Sequence, residues 1–152
     1  MLTLTREECR DIEISGNREW LVTNGIGGYA SGTVCGKLAR HYHGLLIAAL
    51  EPPLGRTLLA ASLEEKFIYK GCTYLLHTNE QSPGIFVPEG YTYLDRFAYD
   101  QGVPHWYYQL GNAVLQKTIW RELGQNTKYV RYQLRNADSP ATLNLIPLIN
   151  YR

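Results

Sequence analysis

The sequence lacks any long apolar run. Nothing approaches the roughly 20 residues of a membrane-spanning helix, and the opening "MLTLTREECRDIE" has no apolar signal-peptide core. Charge of either sign is also without excess, 15 basic against 14 acidic side chains. There is thus no electrostatic footprint for nucleic acid or an anionic membrane, and neither is expected as a partner. Cysteine is scarce. Cys9, Cys35 and Cys72 are an odd number at wide spacings, which excludes a C-x-x-C zinc site and reads as reduced thiols in a cytoplasmic protein. Helical periodicity is nearly missing as well. One short N-terminal helix is expected in "TREECRDI", where Thr5 and Glu8 have capping-box spacing.

What remains is strand and turn. "EWLVT", "GTVCG", "YHGLLIAAL", "TLLAASL" and "EKFIY" read as strands, and Lys70-Gly71 closes a hairpin onto "CTYLLHT". Residues 78–90, "TNEQSPGIFVPEG", read as the longest loop. Beyond them "YTYLDRFAY", "VPHWYYQL", "AVLQKTIWREL", "TKYVRYQLR" and "ATLNLIPLI" follow at near-regular spacing with turn residues between. In the fourth of these, Val130, Tyr132 and Leu134 share one face while Tyr129, Arg131 and Gln133 face the other way. That alternation predicts an all-β protein, an antiparallel β-sandwich with one wet side to each sheet, spanning 1–152 as a single domain. The chain is also rich in tyrosine, 12 beside 3 Trp and 3 Phe. Such rings suit both sheets and sugar-binding surfaces.

The stretch "NGIGGYASG" satisfies the G-x-G-x-x-G/A spacing through Gly25, Gly27 and Ala30. A dinucleotide loop, however, works because a helix starts right after it and aims free N–H groups at phosphate. Here β-branched Thr33 and Val34 and further glycines follow, so no nucleotide cofactor is expected. Gly25, Gly27 and Gly28 are instead expected to form a tight turn with positive φ, and Gly32 and Gly36 to allow close backbone approach. In "ARHYHGLL", read as a strand, His41 and His43 share a face, with Arg40 and Tyr42 on the other. Two histidines fall short of a four-ligand zinc site, and no metal is expected. The alternatives are hydrogen-bonded imidazoles on a half-exposed strand, or donors to a hydroxyl-rich ligand or partner domain. No G-x-S-x-G elbow is present, Cys35 reads as an inert buried thiol, and Glu64 and Glu65 would lie on opposite faces of a strand. Asp95, Glu19 and Glu89 are isolated, so the residues expose no catalytic pair.

Taken together, Trp20, Asn24, Gly25, Gly27-Gly28-Tyr29, Ser31-Gly32-Thr33, Arg40, Tyr42-His43-Gly44-Leu45-Leu46, Pro52-Pro53, Arg56 and Leu63-Glu64-Glu65 have a distinctive order and spacing. The segment Glu19–Glu65 closely resembles the N-terminal region of bacterial and archaeal glycogen-debranching enzymes of the amylo-α-1,6-glucosidase type. A looser resemblance continues through Phe97, Trp106, Lys117–Ile119, Tyr132 and Pro147. Ala39 and His41 depart from it, the family usually showing Thr and Arg there. The resemblance implies a β-super-sandwich preceding an (α/α)6 barrel that carries the catalytic carboxylates and hydrolyses α-1,6-linked branch stubs. The expectation is therefore an incomplete N-terminal domain, without that barrel and without catalytic residues of its own. Its partners would be α-glucan and the C-terminal catalytic domain, with self-association of the fragment. Asn24, Tyr29, Arg40, Tyr42, His43 and Trp20 are the residues expected to contact substrate or the domain interface, the tryptophans also being candidates for plain core packing. The alternative is an autonomous carbohydrate-binding module or a structural interface module.

Overall fold

A computed structural model describes residues 1–151 of the chain. The strands are β1 (Leu2–Leu4), β2 (Glu19–Thr23), β3 (Tyr29–Thr33), β4 (Gly44–Glu51), β5 (Leu54–Tyr69), β6 (Cys72–Leu75), β7 (Thr78–Ser82), β8 (Ile85–Glu89), β9 (Leu94–Asp100), β10 (Val103–Leu110), β11 (Ala113–Arg121), β12 (Lys128–Arg135) and β13 (Ala141–Ile149). Two short helices, α1 (Arg6–Arg10) and α2 (Ile12–Ser15), follow β1, and a 3₁₀ turn covers Gly90–Tyr93. The first sheet has the order β1-β9-β10-β11-β12. The second has the order β13-β5-β4-β3-β2, with β6 added on β5, and β7-β8 form a separate hairpin. Pairing is antiparallel throughout. The protein is an all-β sandwich.

The helix at the N-terminus forms where the capping residues place it, with the Thr5 hydroxyl accepting from the Glu8 N–H at 3.3 Å. The hairpin at Lys70-Gly71 also forms, both residues adopting positive φ, 50° and 74°. Three expectations are corrected. "TLLAASL" and "EKFIY" belong to one 16-residue strand, β5, because two different partners, β4 and β6, take up successive parts of its edge. Residues 78–90 are a hairpin, β7-β8, closed at Gly84 with φ +79°. "GTVCG" leaves the sheet after Thr33, at the end of β3.

The core lies between the two sheets. On β10 the period-2 pattern buries Pro104, Trp106, Tyr108 and Leu110, and β2 contributes Trp20 and Val22 from the opposite sheet. Trp20 and Trp106 meet edge to face at 5.3 Å, and Phe97 closes on Trp106 at the same separation. Each such ring adds about 1.5–3 kcal/mol through its burial and a further ~1 kcal/mol through ring geometry. Both indole N–H groups are satisfied within the protein, Trp20 on the Thr33 carbonyl at 3.2 Å and Trp106 on the Val34 carbonyl at 2.9 Å.

One charged pair crosses this core. Glu65 on β5 is 2% exposed, and its Oε1 accepts from Lys117 Nζ on β11 at 3.2 Å. The ammonium also sits 5.4 Å from the Trp106 ring centroid. Burial first, and the Glu65 charge second, push the Tyr132 phenol far above its ordinary range. Breaking a buried pair from one side strands the other charge, which costs about 3–5 kcal/mol, whereas removing both is close to neutral. Lys117→Met should therefore lower stability by about 3–5 kcal/mol in urea unfolding, and the Glu65→Leu/Lys117→Met double variant should recover most of the loss. A single variant as stable as the parent would show that the pair does not hold the sheets in register.

Candidate functional site

The glycine-rich turn between β2 and β3 is organised by one side chain. Asn24 is 1% exposed. Its Oδ1 accepts from the Ile26 N–H at 3.1 Å and the Gly28 N–H at 2.9 Å, an Asx turn. Its Nδ2 donates to the Gln125 carbonyl at 2.9 Å and to Asn126 Oδ1 at 3.1 Å. Asn126 then grips β4 near its C-terminal end. Its Oδ1 accepts from the Ala49 N–H at 3.0 Å and its Nδ2 donates to the Ala49 carbonyl at 2.9 Å. The turns after β2 and β11 and the strand β4 are thereby clasped at one end of the sandwich.

The glycines make room for this clasp. A Cβ on Gly28 would lie 2.5 Å from Asn24 Nδ2 and 2.8 Å from Asn126 Oδ1. Gly27 takes φ +103°, and a Cβ there would lie 2.6 Å from the Pro53 carbonyl oxygen. Gly28 itself does not adopt positive φ, a correction to the expected three-glycine turn. It is required for closeness, not handedness.

"ARHYHGLL" is not a strand up to Gly44. Residues 40–43 form a turn, closed by the His43 N–H on the Arg40 carbonyl at 3.0 Å. The cause is the His43 imidazole. Nδ1 accepts two backbone N–H groups, from Ala39 at 3.0 Å and Arg40 at 3.1 Å, so the ring proton resides on Nε2. That nitrogen faces Glu19 Oε1 at 3.4 Å. His43 is buried while His41 is exposed, and the two do not share a face. Among the described residues no group of three His, Cys, Asp or Glu lies close enough to hold a metal.

Glu19 gathers the rest of the turn. Its carboxylate accepts from the Tyr42 hydroxyl at 3.2 and 3.0 Å through its two oxygens, and from Arg40 Nε at 3.4 Å. Burial alone would raise the Glu19 carboxyl, but Tyr42, Arg40 and His43 together outweigh it and hold the group below its ordinary range. For His43, burial lowers the imidazole below its usual value and the Glu19 charge opposes only part of that.

Glu19 and Tyr42 border an open cleft of about 680 Å³ on the outer face of the second sheet. Glu19, Leu21 and Thr23 face outward because β2 alternates exposed and buried positions. Tyr29, Tyr42 and Arg56 complete the wall. Arg56 donates to the Gly27 carbonyl at 2.9 Å and lies 5.9 Å from the Tyr29 ring centroid. The fold thus brings together Tyr29, Arg40, Tyr42 and His43 near one carboxylate. It places Asn24 beneath them, with all four hydrogen-bonding positions of its amide engaged inside the protein, and Trp20 in the core. Sequence reasoning treated Glu19 as an isolated carboxylate, gave Arg56 no role and saw in Asn126 no more than a turn residue. The pairing of β2 with β3 and the reach of the 122–127 turn, which bring these residues in, leave no mark in local sequence.

Fold and site define an all-β sandwich whose one end is locked by an asparagine clasp and whose outer face carries an aromatic-walled cleft with a single carboxylate. Residues 18–152 match the family described as glycogen debranching enzyme N terminal, and the chain belongs to that family. No curated protein and no solved structure matches the chain significantly.

Asn24→Ala removes two acceptors from buried N–H groups and half of the clasp, and should cost about 2–4 kcal/mol. Urea unfolding measures it, and a change below ~1 kcal/mol would show the clasp to be dispensable. The His43 imidazole supplies a pH signature. Its folded pKa is depressed below the ordinary value of about 6.5, so its contribution to stability is present above that value and is lost as pH falls through the folded pKa. His105, lowered mainly by burial, has the same sign. The urea midpoint should therefore fall between pH 7.5 and 5.0, and His43→Gln should reduce that fall. An identical pH dependence in the variant would remove His43 from the account.

Proposed function

We propose that this domain is the accessory, substrate-contacting part of a cytoplasmic glycogen-debranching amylo-α-1,6-glucosidase. In this reading it holds α-glucan or the domain interface while a C-terminal (α/α)6 barrel supplies the hydrolytic carboxylates. The observation that carries the reading is the composition of the outer cleft. Tyr29 and Tyr42 offer ring faces, Arg56 offers donors, and Glu19 offers acceptors, which is the mixture that recognises sugar hydroxyls and ring C–H groups. Glycoside hydrolysis usually needs two carboxyls about 5–10 Å apart, and Glu19 is the one carboxylate among the residues lining this cleft. The domain therefore contributes grip, not bond cleavage.

The surface favours an accessory role over a free-standing binding module. Ile146 and Ile149 on β13 are 57% and 80% exposed, and β13 is an outer strand of its sheet. An uncharged edge with exposed aliphatic side chains suits packing against further protein, or self-association when that protein is missing. It does not suit a finished, independent module.

Calorimetric titration of the chain with a branched maltooligosaccharide, beside a glucose-release assay, tests the proposal. Weak saturable binding without glucose release is expected, and Tyr42→Ala and Arg56→Ala should each weaken it about tenfold, the loss of one good polar contact. Binding indifferent to both substitutions would move the contact elsewhere. Glucose release by the chain alone would overturn the division of labour.

A further inference from the structure

The second sheet has a window in it. On β5, β13 pairs along Ala60–Tyr69. On the other side β4 covers the strand only as far as Ala60, and β6 begins at Lys66. Glu65 has its carbonyl taken by the Leu76 N–H at 3.0 Å, but Ala61–Glu64 have no partner strand on that side. Across the gap, Gly32 and Thr33 at the end of β3 have also lost β4, whose pairing with β3 stops at Ser31↔Gly44. The missing stretch of β4 is the segment that the His43-held turn diverts away from the sheet.

The window opens into a cavity of about 460 Å³, within the size range of small-ligand sites. Its floor is the core itself, with Trp20, Trp106 and Lys117, and its rim carries Glu64, His77 and Asn79. Two of the three carboxylates at the site are matched by ammonium groups. Glu65 faces Lys117 at 3.2 Å and Glu80 faces Lys37 at 3.8 Å, while Glu64 lies 3.9 Å from the His77 imidazole. Three carboxylates against two ammonium groups disfavour an anion, and the two ion pairs leave little free charge to hold a cation. What it does offer is backbone donors and acceptors along Ala61–Glu64, a half-exposed carboxylate, and indole surface below. Four residues of strand span about 13 Å at ~3.3 Å each, room for one or two sugar rings, while the strands in line at both ends obstruct a longer extended peptide.

We propose that this window is a binding site for a neutral polyhydroxylated ligand of mono- or disaccharide size, separate from the outer cleft. The ligand's apolar C–H groups rest against the core at the bottom of the cavity, and hydroxyls meet the unpaired β5 backbone and Glu64. The site stands on the sheet gap and not on the role proposed for the cleft, so either can fail without the other.

Titration of the isotope-labelled chain with glucose and with maltose, followed by backbone amide shifts and by tryptophan fluorescence, tests it. Saturable shifts are expected at Ala61–Glu64 and His77, which line the window and not the outer cleft, with a fluorescence change tracking them. Glu64→Gln should weaken this binding about tenfold, equivalent to one charge-assisted hydrogen bond, and Ser62→Leu, which narrows the window, should abolish it. Tyr42→Ala should leave it unchanged. Overturning results are the absence of saturable shifts around the window with both sugars, equal affinity in Glu64→Gln and Ser62→Leu variants whose amide spectra show the native fold, or shifts confined to Tyr29, Tyr42 and Arg56. The last would retain the outer cleft and remove the window.

Discussion

Two hydrogen bonds to one imidazole nitrogen shape most of what is distinctive in this sandwich. His43 Nδ1 accepts the N–H groups of Ala39 and Arg40, and in doing so keeps the chain from running straight into β4. Had residues 39–43 continued as strand, β4 would have filled the sheet between β3 and β5, leaving no gap there. Because they turn, Tyr42 and Arg40 are delivered to Glu19 on the outer face while a gap opens behind them. The ring can do this only when Nδ1 is unprotonated, since an imidazolium has no acceptor to offer two donors. Burial keeps it neutral, and the Glu19 carboxylate, which faces the other nitrogen, favours the tautomer that leaves Nδ1 free.

The asparagine clasp plays the complementary part at the other end of β4. Backbone groups of a turn have to be satisfied somewhere, and a glycine-rich turn loses more entropy on ordering than most. Asn24 answers both demands by accepting two of the turn's N–H groups and reaching across to Asn126, which is itself bound to Ala49 on both sides. Strand β4 is therefore positioned near each end by a side chain rather than by ladder pairing alone. The cleft wall follows from that, since Arg56 on β5 takes its place by donating to Gly27 within the same turn.

Much of the fold was legible because most of its signals are local. Thr5 and Glu8 sit at capping-box spacing, Lys70-Gly71 closes a two-residue hairpin, and the alternation in β10 reports directly which side chains face the core, while in β12 it does so for Val130 and Tyr132 but not for Leu134, which is exposed. The failures share a different cause. "ARHYHGLL" carries β-compatible residues, and its turn is imposed by a side chain bonding to its own backbone three and four residues back, a competition that strand periodicity does not register. The 78–90 segment has loop composition yet pairs with itself at the surface, where polar side chains are compatible with a hairpin. The residues that assemble the outer site divide in the same way. Tyr29, Arg40, Tyr42 and His43 cluster near one another in sequence and could be nominated together, whereas Glu19, Arg56 and Asn126 join them only through strand pairing and turn placement.

The same topology explains why a gapped sheet and a buried ion pair belong together here. A sheet with a four-residue gap on one side of β5 exposes core that an ordinary sandwich would seal, and exposed core invites slippage or collapse. The Glu65–Lys117 pair stands at that gap, with Glu65 at the end of the unpaired segment and Lys117 on the facing sheet beneath Trp106. A hydrophobic pair at these positions would bind the sheets at least as strongly, but it would tolerate a shifted register, since apolar contacts are not directional. A charged pair is satisfied in one register and costly in its neighbours. The gap stays open at a defined width because the residues flanking it are ones that burial penalises in any other arrangement.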